Sequence, residues 1–197
     1  MIIKDFGARI ESVWEGLRPM TKKMIVRALE AKRGTGSTST SQKFSYDPQS
    51  DWELSRLLTA LDESSKETGP NSDQGAEISQ FAETCVTVLQ NQTESAEVFI
   101  QLAERALERR DYKQIDKLAD ILGDRFSVSE MCEIARQATN PAIRAIAMET
   151  MALMPVEEIV PTLDDPVYED ISRLALELKA IEYESDEARR VLDEMYE

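Results

Sequence analysis

Two stretches in the second half of the chain repeat one design, a polar turn that closes on a proline and is followed by an apolar-striped helix. The first turn is Asn140-Pro141 and the second is Asp165-Pro166. Proline suits the first turn of a helix, because the N–H that it lacks has no helical partner there. Repetition of helical units predicts helix pairs stacked on one another, which build extended surfaces rather than enclosed pockets.

Helical periodicity is nearly continuous from Ala76 onward. The spacing of apolar residues predicts eight helices, at about 76–91, 94–109, 112–122, 128–138, 141–153, 156–163, 167–182 and 186–196. Ser127 and Glu130 are spaced as a capping box at the start of one of them. The links between these predicted helices are only about two to five residues long, and links of that length force neighbouring helices to pack antiparallel. The sequence therefore predicts an all-α fold of antiparallel helix hairpins, stacked as a short α-solenoid or a compact bundle, with an N-terminal helical arm.

The two repeated helices carry matching stripes. Ile143, Ile146, Ala147 and Leu153 match Ile171, Leu174, Ala175 and Ile181 at a shift of 28 positions, whereas the prolines are 25 apart. We expect the three extra residues near 167–169. On these residues, the segment from about 127 to 182 resembles HEAT-type repeats and their leucine-rich-variant relatives. The resemblance implies an α-solenoid and specifies no activity. Arg144 and Arg173 align under neither shift, which departs from that pattern.

The first half of the chain predicts shorter segments. An apolar stripe from Ile3 to Leu17 with 3,4 spacing predicts a helix over 2–18, which Pro19 ends, and Thr21 is the expected cap of a second helix. Ser50 or Asp51 is the expected cap of a third helix. The predicted domains are a basic amphipathic helical arm at 1–33, a flexible linker at 34–50, an isolated helix at 51–61, a second linker at 62–75 and a helical-repeat domain at 76–197.

Charge is divided unevenly along the chain. Residues 1–43 hold nine Lys and Arg against four Asp and Glu, although the whole chain has a formal net charge of −15. A basic arm on an acidic body has three interpretations. The arm folds onto its own body, or it binds nucleic acid or an anionic membrane, or it is a solvated helix.

Signals for catalysis are absent from the sequence. The chain has no His and only two Cys, Cys85 and Cys132, both within apolar helical patterns typical of a core. Its seven Gly form no phosphate-binding motif. Asp164 and Asp165 lack the spacing of a calcium loop and indicate a helix cap instead. We therefore expect no enzyme, no catalytic residue, no cofactor and no metal.

The resulting hypothesis is a non-enzymatic helical-repeat scaffold or adaptor that binds another protein, with no small-molecule substrate. Its docking surface is expected on the acidic helix faces of 76–197. The chain starts without the apolar run of a signal peptide, so the cytoplasm is the expected compartment. One alternative is a module that binds nucleic acid or anionic membrane through residues 1–33, and another is a structural protein that homodimerises through the stripe of residues 2–18. The candidate partner-binding residues are the cations Lys22, Lys23, Arg27, Lys32, Arg33, Arg144 and Arg173.

Overall fold

The computed structural model describes residues 6–32, 47–69 and 72–195, and these residues form helices, turns and short links without any strand. The all-α prediction is confirmed. The chain divides into two compact units, Met1–Thr93 and Glu94–Glu197. The boundary therefore follows Thr93, which places the predicted helix 76–91 in the N-terminal unit rather than in a domain that begins at residue 76.

The N-terminal unit is built around a helical hairpin. Its helices are α1 (Ala8–Gly16), α2 (Pro19–Lys32), α3 (Pro48–Thr68) and α4 (Asp73–Gln92). Helices α3 and α4 run antiparallel, as two hydrogen bonds between them show. Gln92 Nε2, at the end of α4, donates to Asp51 Oδ1, at the start of α3, at 3.0 Å. Nearer the link between the helices, the hydroxyls of Ser65 and Ser79 are 3.1 Å apart. Helix α1 packs on α3, and α2 packs on both α3 and α4.

Two glycines of this unit stand where a side chain would be strained or would collide with the backbone. Gly7 adopts φ 103°, a conformation that side-chain-bearing residues rarely take, so the predicted helix over 2–18 begins only at Ala8 among the described residues. Residues 1–5 lie outside that part of the chain. Gly75 is buried in the first turn of α4, where a Cβ would collide with the carbonyl oxygen of Gly69. This close approach allows the short connection between α3 and α4.

The structure corrects several predictions in the first half. Pro19 begins α2, so Thr21 lies inside the first turn and caps nothing. Asp47 caps α3 by accepting from the Gln49 N–H at 3.1 Å, whereas Ser50 and Asp51 are buried within the helix.

The predicted isolated helix at 51–61 and linker at 62–75 are also wrong. Helix α3 continues to Thr68 and packs along α4, because its polar second half presents half-buried residues to that neighbour. Of the predicted linker 34–50, residues 34–46 lie outside the described part.

The C-terminal unit is a stack of helix pairs. Its helices are α5 (Ala96–Glu108), α6 (Tyr112–Arg125), α7 (Val128–Gln137), α8 (Pro141–Leu153), α9 (Val156–Ile159) with a 3-10 helix (Val160–Asp164), α10 (Glu169–Glu182) and α11 (Asp186–Met195). Helix α5 pairs with α6 and α7 with α8, while α5 also packs on α7 and α6 on α8. Helix α10 then packs on α8 and on the 3-10 helix, and α11 packs on α10. The predicted pair 128–138 with 141–153 is present as α7 and α8. Of the pair 156–163 with 167–182, the first member is the four-residue α9 followed by the 3-10 helix, and the second, α10, begins at Glu169.

Local capping explains why the boundaries in this unit are sharp. Ser127 and Glu130 form the predicted capping box, in which the Glu130 carboxylate accepts from the Ser127 N–H at 2.8 Å. Asn140 accepts from the Ala142 N–H at 2.9 Å at the start of α8. Each side chain satisfies a helical N–H that has no partner within the helix.

The three extra residues between the second proline and the apolar stripe of α10 belong to a turn. Asp165 accepts from the Val167 N–H through Oδ1 at 2.9 Å, and its carbonyl oxygen accepts from the Glu169 N–H at 2.8 Å. Helix α10 consequently begins three residues after Pro166, at Glu169, whereas α8 begins at Pro141 itself. These two helix starts are 28 positions apart, which is the shift at which the apolar stripes match.

Candidate functional site

Helix α10 has an apolar face on each side. Its buried face consists mostly of small residues, namely Ser172, Ala175, Leu176 and Ala180. Ile171, Leu174, Leu178 and Ile181 are spaced 3, 4 and 3, so they lie along a second face. We call these four residues the outer stripe. Leu174 is 53% exposed and Ile181 is 72% exposed, while the other two are half-buried.

The equivalent helix α8 buries the corresponding residues more deeply. Ile143 is fully buried and Ile146 is half-buried, whereas their counterparts Ile171 and Leu174 are half-buried and exposed. Helix α8 lies against α6, α7 and α10. Helix α10 packs against α7, α8, α9, the 3-10 helix and α11, and this arrangement leaves Leu174 and Ile181 exposed. The first two matched pairs thus lie deeper in α8 than in α10, whereas Ala147 and Ala175 are both buried and Leu153 and Ile181 are both exposed.

Buried polar contacts hold α10 in this orientation. The Ser172 hydroxyl hydrogen-bonds the Thr162 hydroxyl at 2.7 Å and lies 3.5 Å from the Cys132 thiol. Lys179 donates from Nζ to the carbonyl oxygen of Ala152, at the end of α8, at 3.0 Å. Burial raises the pKa of the Cys132 thiol, which keeps it neutral. A rotation of α10 that buried the outer stripe would break these contacts.

A surface cluster fixes the start of α10 against α7. Tyr168 donates its hydroxyl hydrogen to Glu133 Oε2 at 3.3 Å. Arg136 binds the same carboxylate with two N–H groups, at 2.8 and 2.6 Å. The Arg136 hydrogen bond, followed by that of Gln137, lowers the pKa of Glu133 from 4.5 to about 2 against the opposing effect of burial. This carboxylate therefore stays ionised and holds the turn before α10 in place.

Acidic side chains border the outer stripe. Asp170 and Glu177 lie on one side of it and Glu182 lies on the other. Arg173 donates to Glu177 at 2.8 Å and to Asp170 at 3.2 Å, so its charge is offset within the helix. Residues 164–187 hold nine acidic and two basic side chains. The surface is therefore an apolar stripe that is bordered mainly by negatively charged side chains.

The predicted basic cluster lies in the N-terminal unit. Lys22 donates to the carbonyl oxygen of Glu15 at 3.1 Å. Lys23 and Arg27 are exposed on α2. The Lys32 side chain and all of Arg33 lie outside the described residues.

The two predicted arginines of the C-terminal unit have different surroundings. Arg144 donates from Nη1 to the carbonyl oxygens of Ala138 and Thr139, at 2.9 and 3.1 Å, and so satisfies the end of α7. Arg173 lies beside the outer stripe. Arg144 and Arg173 therefore occupy different positions in the two helix pairs, and they do not form one site.

A partly buried polar network in the N-terminal unit was not anticipated from the sequence. Glu53 accepts from Arg18 Nε at 3.0 Å and from the hydroxyl of Thr21, while Arg18 Nη2 donates to Asp47 at 2.6 Å. Hydrogen bonds from Ser50 and then Arg18 lower the pKa of Asp47. The network links α2 to the start of α3, and its groups are engaged with each other, which is typical of a structural role.

The sequence did not indicate which side of α10 is exposed. Its pattern placed Leu174 and Ile181 in one stripe with Ala175, although Ala175 is buried and the two larger residues are exposed, as is Leu153 of α8 at 61%. One signal was available, since the opposite face of α10 carries Ser172, Ala175 and Ala180. Small residues permit close helix packing, so they marked the side that faces the unit.

The described residues contain no group of three or more side chains arranged to hold a metal ion. Within the same ranges, every helix is too short or too polar to cross a membrane. Comparison of the chain with protein-family models, with curated proteins and with solved structures found no match in any of the three.

Proposed function

We propose that the protein is a non-enzymatic helical scaffold that binds another protein through the outer stripe of α10. The observation that carries this proposal is a row of four aliphatic side chains, two exposed and two half-buried, on a helix whose orientation is fixed by contacts on its other side. Stacked helices normally present a polar face outward where nothing covers them. An exposed apolar row on a well-anchored helix is the type of surface that binds a partner helix.

Charge distribution in the N-terminal unit favours protein binding over binding of nucleic acid or anionic membrane. Arg9 is paired with Glu63, and Arg18 with Asp47 and Glu53. Binding of a polyanion depends on cations that neutralise phosphates. With these arginines engaged inside the unit, the basic arm has fewer charges to offer than its composition indicates.

A comparison of three forms of the full chain tests the proposal. Affinity-tagged wild type, the Leu174→Gln/Ile181→Gln double variant and Tyr112→Gln are purified from native cells, and the bound proteins are quantified. Tyr112 lies on α6 and is 66% exposed, so it is a matched apolar surface position away from the outer stripe.

We expect at least one protein to bind wild type and Tyr112→Gln equally and to be reduced about tenfold or more on the double variant. An identical set of proteins on all three forms would contradict the proposal. Circular dichroism of each form confirms that the helices are intact.

A further inference from the structure

The flanks of the outer stripe indicate which kind of protein covers it. We propose that the occupant is an amphipathic helix with Lys or Arg beside its apolar residues, contributed by a partner protein rather than by a second copy of this chain. This inference rests on the proposed function and specifies its partner.

The shape of the surface fits a helix. The outer stripe runs from Ile171 to Ile181 with the 3,4,3 spacing of one side of a two-helix interface. At 1.5 Å per residue, these ten steps span about 15 Å, or nearly three helical turns. A partner helix laid along it would place apolar residues at matching intervals. An extended strand would gain no backbone hydrogen bonds, because the backbone groups in the middle of α10 already bond within the helix.

The charges near the stripe are predominantly negative, and the nearby cations Lys179, Arg173 and Arg189 are all engaged. Arg189 of α11 donates to the carbonyl oxygen of Ala180 at 3.0 Å and to Asp186 at 2.8 Å. Lys179 is directed to the end of α8, where its Nζ donates to the carbonyl oxygen of Ala152. Arg173 is bound by Asp170 and Glu177, and Asp170 keeps 92% of its side-chain surface exposed. Glu182 is exposed at the other edge of the stripe. A partner with basic flanks would thus meet carboxylates on both sides.

The same charges disfavour pairing with a second copy. In a parallel pair of α10 helices, Glu177 of one copy would face Glu182 of the other. In an antiparallel pair, Asp170 and Glu177 would face the same residues of the other copy. Like charges placed opposite each other in this way oppose association, whereas a basic partner is attracted and oriented.

Three synthetic helical peptides separate apolar docking from simple charge attraction. The first carries leucines at heptad a and d positions with lysines beside them. The second keeps the leucines and replaces the lysines by glutamates. The third keeps the lysines and replaces the leucines by alanines. Each is titrated against the full chain by fluorescence anisotropy at physiological salt.

We expect the Leu–Lys peptide to bind about tenfold or more tightly than either control peptide. Leu174→Gln/Ile181→Gln should weaken its binding about tenfold, and Tyr112→Gln should leave it unchanged. Glu182→Lys should weaken it about threefold, because one flanking carboxylate becomes a cation. Glu149→Lys, the same change at an exposed position of α8, should not weaken it.

Three other outcomes are possible, and each overturns a different part of the proposals. Equal binding of both leucine peptides, lost in the double variant, would keep the docking surface and overturn the basic partner. Equal binding of both lysine peptides, unaffected by the double variant, would mean charge attraction alone and would overturn the proposed function as well. If the free wild type sediments as a dimer and the double variant as a monomer, the stripe is a dimer interface, and the proposal of a basic partner is overturned.

Discussion

The clearest consequence of the structure is that two isoleucines on the apolar stripes of α8 and α10, Ile143 and Ile181, differ in their contribution to stability. Ile143 is fully buried, whereas Ile181 is 72% exposed. Substitution of a buried isoleucine by alanine removes apolar burial and leaves a cavity, which costs about 2–5 kcal/mol. We therefore expect Ile143→Ala to lower the free energy of unfolding by about 3 kcal/mol.

Ile181→Ala should have almost no effect on stability. Full burial of an aliphatic side chain contributes about 1.5–3 kcal/mol, so the buried quarter of Ile181 contributes about 0.4–0.8 kcal/mol. Alanine also has a higher helix propensity than isoleucine, which offsets a few tenths, about 0.3 kcal/mol, of that loss. The expected decrease in unfolding free energy is below about 0.5 kcal/mol.

Urea denaturation with two probes measures both effects. The two tryptophans of the chain, Trp14 and Trp52, belong to the N-terminal unit, so tryptophan fluorescence follows that unit. Far-ultraviolet circular dichroism follows the helices of both units. Ile143→Ala should shift the dichroism transition without shifting the fluorescence transition. A loss for Ile181→Ala as large as that for Ile143→Ala would refute the account, because it would place Ile181 in a core.

Three further predictions follow from named contacts. Glu53→Ala should destabilise the N-terminal unit by about 2 kcal/mol. This is less than for a fully buried ion pair, because the Arg18 partner of Glu53 is half-exposed. Glu53→Gln should cost less stability than Glu53→Ala, and tryptophan fluorescence in urea measures both. Ser127→Ala should cost about 1 kcal/mol in the dichroism transition through loss of the capping box, whereas Ser129→Ala, at an exposed position, should be neutral. The Glu133 pKa lies below its ordinary 4.5, at about 2, so the stabilisation from its contact with Arg136 is complete above pH 4.5 and is lost as pH falls toward 2. Glu133→Gln should therefore lose less stability than wild type over that range, and equal losses in urea midpoint would contradict the assignment.

The helices of the C-terminal unit could be predicted because their signals are local. A capping box at Ser127 and an Asn-Pro start at residue 140 depend on a few neighbouring side chains, and both produce the expected helix starts. The 28-position shift likewise follows from a turn whose extra residues are visible in the sequence. Such features need no knowledge of which helices touch.

The N-terminal hairpin could not be predicted in the same way. The second half of α3 is rich in polar residues, and composition alone favoured a linker from residue 62 onward. Its helical state depends on α4, against which it packs along its length. The pairing of Arg18 with Glu53 and Asp47 likewise joins residues about 30 positions apart, a separation that periodicity does not detect.

The exposure of the outer stripe could not be predicted from the sequence either. Periodicity correctly placed Leu174 and Ile181 on one face of a helix, but it did not indicate whether a neighbour covers that face. Exposure is a property of the arrangement of α8, α10 and α11. Sequence patterns therefore predicted the helix and its stripe, and only the packing revealed the candidate docking surface.

Site-specific photo-crosslinking in native cells tests the central claim most directly. A photoreactive amino acid is placed in the full chain at position 174, at position 181 or, as a control, at position 112. We predict that positions 174 and 181 each give one discrete adduct with the same partner, mapped to a helix with basic residues beside its apolar ones, and that position 112 does not. No adduct from the two stripe positions, or the same adduct from all three, would contradict the assignment of the outer stripe as a docking surface.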